Sequence, residues 1–143
     1  MPSPMPSSLQ SPVDDAAVAP HLCRALVIDA EELVALDLRR VLSASPLNGT
    51  TCRCDCATGA DAALQRLHAF HYDLVILDIR ELEGRDDLRD QLKRQGCAVL
   101  FATAFPERIA ALGLHGHEPV LVKPFSEASA KAQIVACLDQ ANA

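Results

Sequence analysis

The sequence predicts an α/β protein in which a five-stranded parallel sheet is covered by helices on both faces. Short unbroken apolar runs alternate with segments of helical periodicity five times along the chain, which is typical of strand–helix units joined by right-handed crossovers. The clearest run is 74–77, within the stretch YDLVILD. A run without a polar position favours a strand that is buried on both faces, as in a parallel sheet.

Composition supports a single soluble globular domain. The chain has 143 residues, of which 50% are hydrophobic and 22% are charged, and these values suit a domain with a real core. Aromatic residues make up only 3%, so we expect a core of Leu, Val, Ile and Ala. The net charge is -6 and no basic stripe is present, which argues against nucleic acid and anionic membranes as partners.

Residues 1–21 are rich in Pro and Ser, a composition that predicts a flexible tail before a domain over 22–141. No secretory signal or membrane-length apolar run is visible, so a cytoplasmic location with reduced thiols is expected. Cys52, Cys54 and Cys56 point the same way along one strand. We interpret them as small hydrophobic residues, with redox sensitivity as the alternative, because their spread along a strand disfavours a tetrahedral metal site.

The first three predicted elements are a strand, a helix and a second strand. An apolar run over 25–28 predicts a buried strand. Apolar residues then recur at near-helical spacing over 31–44, which predicts the first helix. Residues 51–57 alternate in polarity, and this period of two predicts a half-buried strand at the edge of the sheet.

Turn and cap residues set the ends of the remaining elements. Thr58 with Asp61 resembles a capping box, and Ser126 is a helix-capping residue. Gly96 closes a helix and Pro106 can open one. The predicted elements are a helix over 59–70, a strand over 73–78, an exposed helix over 86–95, a strand over 98–102, a short helix over 106–112, a strand over 120–122 and a helix over 127–140.

Polar side chains stand where four of the five strands end. They are Asp29, Asp78, Thr103 and Lys123. An isolated Asp after a strand is most simply a cap of the next turn, but parallel strands bring their carboxyl ends to one edge, where ligands bind. Two carboxylates, a hydroxyl and an ammonium group are therefore expected to converge there, and this convergence is more specific than any one residue.

These motifs resemble the receiver domain of two-component response regulators, including single-domain, chemotaxis-regulator-like members. The matching pieces are VIDAEE after the first strand, YDLVILD at the third, LFATA at the fourth and LVKPF at the fifth, within about 22–138. The resemblance implies a doubly wound, flavodoxin-like sheet with strand order 2-1-3-4-5. It also implies a cis Lys123–Pro124 peptide bond.

The resemblance implies a phosphoacceptor rather than an enzyme, with at most slow self-dephosphorylation. Asp78 would accept a phosphoryl group from a histidine kinase or histidine phosphotransferase. Lys123 and Mg²⁺ would neutralise the charge, and Thr103 would hydrogen-bond a phosphoryl oxygen. The implied metal ligands are Asp29, Asp78 and the main-chain carbonyl of Arg80. The signal would pass to an unidentified downstream protein.

The sequence departs from the family pattern at the metal site. The family has two adjacent acids after the first strand, and the second of them is replaced here by Ala30. Mg²⁺ requires near-octahedral oxygen coordination, so we expect weakened binding. Glu31 is a candidate substitute ligand. Alternatively, Glu31 and Glu32 favour the N-terminus of the first helix through its dipole.

Other residues are expected to flank the site. Arg80 and Phe105 stand two residues after Asp78 and Thr103 and are expected to influence water access and the lifetime of the phosphorylated state. Arg80 is alternatively a partner for the Asp78 carboxylate or for a phosphate. Pro124 follows Lys123 directly, at the mouth of the predicted site.

Two functions remain open on the sequence alone. In the first, the chain is a stand-alone response regulator that is phosphorylated on Asp78 and signals through protein contacts, since the sequence ends just after the fifth helix. In the second, it is a pseudo-receiver, a phosphorylation-independent binding module, because Ala30 impairs the metal site. A phosphatase of the haloacid-dehalogenase type is disfavoured, because Lys-Pro stands where its second acidic cluster is needed.

Overall fold

The computed structural model describes residues 21–44, 47, 49–112 and 119–141. Residues 1–20 of the predicted tail over 1–21 lie outside the described residues, and the last residue of that tail, His21, is instead the first residue of a strand. The elements, in chain order, are β1 (His21–Ile28), α1 (Glu32–Ala44), β2 (Thr50–Ala57), α2 (Ala60–Ala69), β3 (Leu74–Leu77), a 3-10 turn (Ile79–Glu81), α3 (Asp86–Gln95), β4 (Ala98–Thr103), a longer 3-10 segment (Pro106–Leu112), β5 (Val120–Val122) and α4 (Glu127–Ala141).

The sheet has five parallel strands in the order β2-β1-β3-β4-β5. This is the predicted order 2-1-3-4-5, and β2 lies at the edge as expected. The register pairs Ile28 of β1 with Leu77 of β3, so these two strands end side by side. Leu77 of β3 pairs with Phe101 of β4, and Thr103 of β4 pairs with Val122 of β5. The carboxyl ends of β1, β3, β4 and β5 therefore meet at one end of the sheet.

The core lies on both faces of the sheet. On one face, α1 and α4 pack over Leu74 and Ile76 of β3. On the other face, α2 and α3 pack over Val75 and Leu77. All four β3 side chains are buried, and full burial of such an aliphatic side chain contributes roughly 1.5–3 kcal/mol. The apolar run thus anchors the strand that presents Asp78.

Several local predictions are confirmed. Gly96 adopts a left-handed conformation with φ of 65° at the C-terminus of α3, where a side chain would be strained. The N–H of Ser129 donates to Ser126 Oγ at 3.0 Å, so Ser126 caps α4. The Lys123–Pro124 peptide bond is cis.

Two local predictions need correction. The capping box of Thr58 and Asp61 is wrong, because α2 begins after Gly59 and no side chain caps it. The short helix predicted over 106–112, by contrast, is confirmed and is a 3-10 helix. In addition, β1 begins at His21, four residues before the predicted strand, because it pairs with β2 along its whole length.

The cysteines of β2 belong to the core. Cys52 and Cys54 are buried and Cys56 packs against the same cluster beneath α1 and α4. All six thiols are free. Within the described ranges, no thiol takes part in a group that could hold a metal ion. Nor does any helix among those residues have the length and apolar character needed to cross a membrane.

Candidate functional site

The four polar strand-end residues lie together at the carboxyl edge of the sheet. The N–H of Asp78 donates to the carbonyl of Ile28 at 3.3 Å, which places Asp78 beside Asp29. The N–H of Lys123 donates to the carbonyl of Thr103 at 2.8 Å. Asp29, Asp78 and Thr103 are the buried polar residues of the described chain. Three buried polar groups at one edge indicate a site rather than isolated turn caps.

Lys123 is the centre of the site. Its Nζ donates to Oδ2 of Asp29 at 2.7 Å, to Oε1 of Glu31 at 2.9 Å and to Oδ2 of Asp78 at 2.9 Å. The Lys123 side chain is only 9% exposed. All three donor positions of the ammonium group are therefore used, and each goes to a carboxylate.

Arg80 is a second cation on the same carboxylates. Its Nη2 lies 2.9 Å from Oδ2 of Asp78, and its Nε lies 3.3 Å from the same oxygen. Nη2 also lies 3.4 Å from Oε1 of Glu31. The main-chain N–H of Arg80 donates to Oδ1 of Asp78 at 3.1 Å. Asp78 therefore caps the Ile79–Glu81 turn and holds two charged partners at once.

Pairing fixes the ionisation of the cluster. Burial alone would raise the pKa of Asp78, but hydrogen bonds from Arg80 and Lys123 outweigh it and lower the pKa of that carboxyl. Burial alone would lower the pKa of Lys123, and its three carboxylate partners raise it instead. The hydrogen bond from Lys123 likewise lowers the pKa of Glu31. The formal charges of the three acids and two bases sum to −1.

Glu31 reaches into the site instead of acting only at the start of α1. The helix begins at Glu32, and the main-chain N–H of Glu31 donates to Oδ1 of Asp29 at 2.8 Å. The Glu31 carboxylate contacts both Lys123 and Arg80. The neighbouring Ala30 is exposed and supplies no polar atom from its side chain.

An open cleft of about 460 Å³ gives access to the cluster. Thr103 lies behind it, fully buried, and its Oγ1 accepts a hydrogen bond from the N–H of Phe105 at 3.0 Å. Phe105 is 41% exposed at the cleft. The lining residues are Glu31, Val34, Asp37, Arg80, Ala104, Phe105, Lys123, Pro124 and Phe125.

The carboxylate oxygens of the site are ligands of the type that a hard divalent cation binds. One oxygen each from Asp29, Glu31 and Asp78 lies within 4.8 Å of the others, and Mg²⁺ is bound by oxygen ligands of this kind. The same oxygens are also held by Lys123 and Arg80. Sequence reasoning named Arg80 chiefly for its main-chain carbonyl; the ion pairs of its side chain were only an alternative.

No family model and no curated protein matches this sequence. Solved structures do match it. The receiver domain of the Erythrobacter litoralis response regulator PhyR is 24% identical, with a TM-score of 0.70 over 86% of this chain and 95% of that one. A signal receiver domain of an HD domain-containing protein from Pseudomonas fluorescens Pf-5 is 23% identical, with a TM-score of 0.67 over 85% and 98%.

A longer protein matches in the same way. The anti-anti-sigma factor PhyR from Bartonella quintana is 27% identical, with a TM-score of 0.64. The match covers 85% of this chain and 49% of that one, so the aligned part spans about half the length of the Bartonella protein. Together with the strand order and the cluster of strand-end residues, these likenesses show that the chain has the receiver-domain fold of response regulators.

Proposed function

We propose that this chain is a response-regulator receiver module that accepts a phosphoryl group on Asp78. The contact of Lys123 Nζ with Oδ2 of Asp78, 2.9 Å long at a buried carboxylate, is the observation that supports the proposal most strongly. A carboxylate that stays ionised beside Lys123 and Arg80, both of which line the open cleft, is a nucleophile ready for an electrophilic phosphorus.

The transfer step is a displacement at phosphorus. A carboxylate oxygen of Asp78 bonds to phosphorus while the bond from phosphorus to the donor histidine nitrogen breaks, and the electron pair leaves with the imidazole. Because both reactants are anionic, fixed cations near the phosphoryl oxygens lower the barrier. Lys123 supplies one such cation, and the Thr103 hydroxyl is the expected hydrogen-bond donor to a phosphoryl oxygen.

The residues that would hold Mg²⁺ are Asp29 and Asp78, with Glu31 in place of the acid that Ala30 replaces. The main-chain carbonyl of Arg80 is the further expected ligand. When bound, the metal neutralises negative charge on the transferring phosphoryl group. Because Lys123 and Arg80 already pair with these carboxylates, we expect weaker metal binding than two adjacent acids and the acceptor would give.

Exposed apolar residues beside the site suit protein partners. Leu33 is 77% exposed and Leu36 is 48% exposed, both on α1, so we assign α1 as the docking surface of a histidine kinase or phosphotransferase. The expected output surface is formed by the 106–112 segment, β5 and α4, where Val122 is 50% exposed. The same proposal places the module in the cytoplasm.

A pseudo-receiver that binds partners without phosphorylation is the second candidate. The observation that favours it is the saturation of the three carboxylates by Lys123 and Arg80. Carboxylates paired in this way already have cationic partners without a metal or a phosphoryl group.

Intact-mass measurement separates the two candidates. The protein is incubated with Mg²⁺ and acetyl phosphate, alongside Asp78→Asn and a control, Asp90→Asn, at an exposed position of α3. The proposal predicts one added phosphoryl group on the parent protein and on the control, and none on Asp78→Asn. No addition to the parent protein with excess donor or with its kinase would contradict the proposal and favour the pseudo-receiver.

A further inference from the structure

We infer that the Arg80 side chain is a built-in cation of the phosphorylation site: it supplies part of the charge neutralisation expected of a divalent metal and competes with that metal for the same carboxylates. The inference rests on the proposed function and deepens it. Its basis is the position of the guanidinium group, which bridges Asp78 and Glu31.

The contacts place Arg80 between two candidate metal ligands. Nη2 lies 2.9 Å from Oδ2 of Asp78 and 3.4 Å from Oε1 of Glu31. Oxygens of Asp29, Glu31 and Asp78 form the one group within the described ranges that could hold a metal. A cation bound to these oxygens would have to share or displace the guanidinium, because a carboxylate oxygen has few lone-pair sites.

The charges favour the same conclusion. With Lys123 and Arg80 in place, the three carboxylates leave a formal charge of −1. A second acid at position 30 would make this −2, and loss of the arginine would do the same. The sequence has Ala30 and Arg80 together, and both choices reduce the need for an external cation when a phosphoryl group arrives.

The Arg80 side chain also has a geometry that suits the phosphorylated form of Asp78. A guanidinium group binds carboxylate and phosphate oxygens through a planar fork of N–H donors. Arg80 is 45% exposed at its side chain and lines the cleft, so its fork can turn from Oδ2 of Asp78 to a phosphoryl oxygen bonded to that residue. Lys123 is enclosed by three carboxylates and has less freedom to do so.

Transfer of a phosphoryl group from a small donor to Asp78 requires no metal in its stoichiometry. A carboxylate oxygen of Asp78 bonds to the phosphorus of acetyl phosphate, the bond from phosphorus to the bridging oxygen breaks, and acetate leaves with the electron pair. No proton, oxidant or reductant is consumed. Arg80 and Lys123 provide the positive charge that faces the phosphoryl oxygens during this exchange.

The test compares Arg80→Gln and Arg80→Lys with the parent protein. The control is Arg40→Gln, which removes the same charge from an exposed position of α1, where Arg40 pairs with Asp37. Mg²⁺ affinity is measured by calorimetric titration without any phosphodonor. Phosphorylation by acetyl phosphate is then followed by intact mass in excess chelator and across a range of Mg²⁺ concentrations, after each variant is shown to be folded by circular dichroism.

We expect Arg80→Gln to bind Mg²⁺ about tenfold more tightly than the parent protein, because it lacks the charged hydrogen bonds that compete for the carboxylates. In chelator, the parent protein and Arg40→Gln should be phosphorylated measurably, and Arg80→Gln should react at least about tenfold more slowly. Arg80→Lys should fall between them, because it keeps the charge but not the planar fork.

Equal Mg²⁺ affinity in the parent protein and Arg80→Gln would show that Arg80 does not compete with the metal. Equal phosphorylation rates of the two proteins in chelator would show that Arg80 does not act as a cation of the site. If saturating Mg²⁺ gives no phosphorylation of the parent protein, the proposed function fails by itself. The Mg²⁺ titration then still decides whether Arg80 competes with the metal, because it needs no phosphodonor.

Discussion

Replacing Lys123 by Met should destabilise the fold strongly, because it leaves buried carboxylates without their cation. The side chains of Asp29 and Asp78 are 2% and 1% exposed. Removing one partner of a buried ion pair costs about 3–5 kcal/mol. Since Arg80 still pairs with Asp78, we expect the lower end, a loss of about 3 kcal/mol in the free energy of unfolding at pH 7.

The loss should depend on pH in a defined direction. Burial tends to raise the pKa of Asp78, and its bonds to Arg80 and Lys123 lower it on balance. A carboxyl group with a lowered pKa stabilises the fold above the pKa of the unfolded chain, about 3.9, and this contribution is lost as the pH falls through the folded-state pKa. The gap between parent and Lys123→Met should therefore shrink below about pH 4.

Urea unfolding followed by circular dichroism at pH 7 and at about pH 2.5 measures both effects. Lys131→Met is the matched control, since Lys131 is exposed on α4 and should change stability by no more than about 0.5 kcal/mol. In thermal unfolding the loss corresponds to roughly 10 °C. A loss below about 1 kcal/mol, or one that is the same at both pH values, would refute the burial argument.

Two further predictions concern separate parts of the molecule. Burial and the hydrogen bond from Tyr72 to Asp55, 2.7 Å long, raise the pKa of Tyr72 to about 12. This residue, the sole tyrosine, should therefore titrate near pH 12. The stability that its neutral form contributes should be lost as the pH rises from about 10 through that value. The ultraviolet absorbance of the phenolate measures the titration, and Asp55→Asn should lower its midpoint. A midpoint in the parent protein near the pKa of an unperturbed tyrosine, about 10, would contradict the burial of this side chain. Ala30→Asp should bind Mg²⁺ about tenfold more tightly than the parent protein in a calorimetric titration, because it adds one carboxylate; the exposed Ala62→Asp is the control, and unchanged affinity in Ala30→Asp would mean that Glu31 or water already fills that position.

Hydrophobic periodicity was sufficient to predict the sheet, because burial on two faces leaves a clear signal. Residues 74–77 admit no polar side chain, and β3 occupies those residues with all four buried. The alternation over 51–57 likewise predicted an edge strand, and β2 is at the edge. The extra length of β1 has no such signal, because it depends on pairing with β2 from His21 onward.

The site was predicted only in part, because strand ends are set by topology whereas side-chain directions are set by local bonds. Asp29, Asp78 and Lys123 meet because parallel strands end together. The Glu31 side chain enters the site through ion pairs with Lys123 and Arg80, and α1 begins one residue later than the sequence predicted. The ion pairs of Arg80 depend on the 3-10 turn after Asp78, whose geometry leaves little trace in the sequence.

Chemical trapping of the phosphorylated residue tests the central claim most directly. Borohydride reduces an aspartyl phosphate to homoserine, which survives digestion and mass spectrometry. The tryptic peptide over 67–80 contains both Asp73 and Asp78, so Asp73 serves as an internal control in the fragment spectrum. Phosphorylation on the proposed residue predicts homoserine at position 78 and intact Asp73. Homoserine at Asp73, or at any acid outside this peptide, would contradict the assignment of Asp78 as the phosphoacceptor.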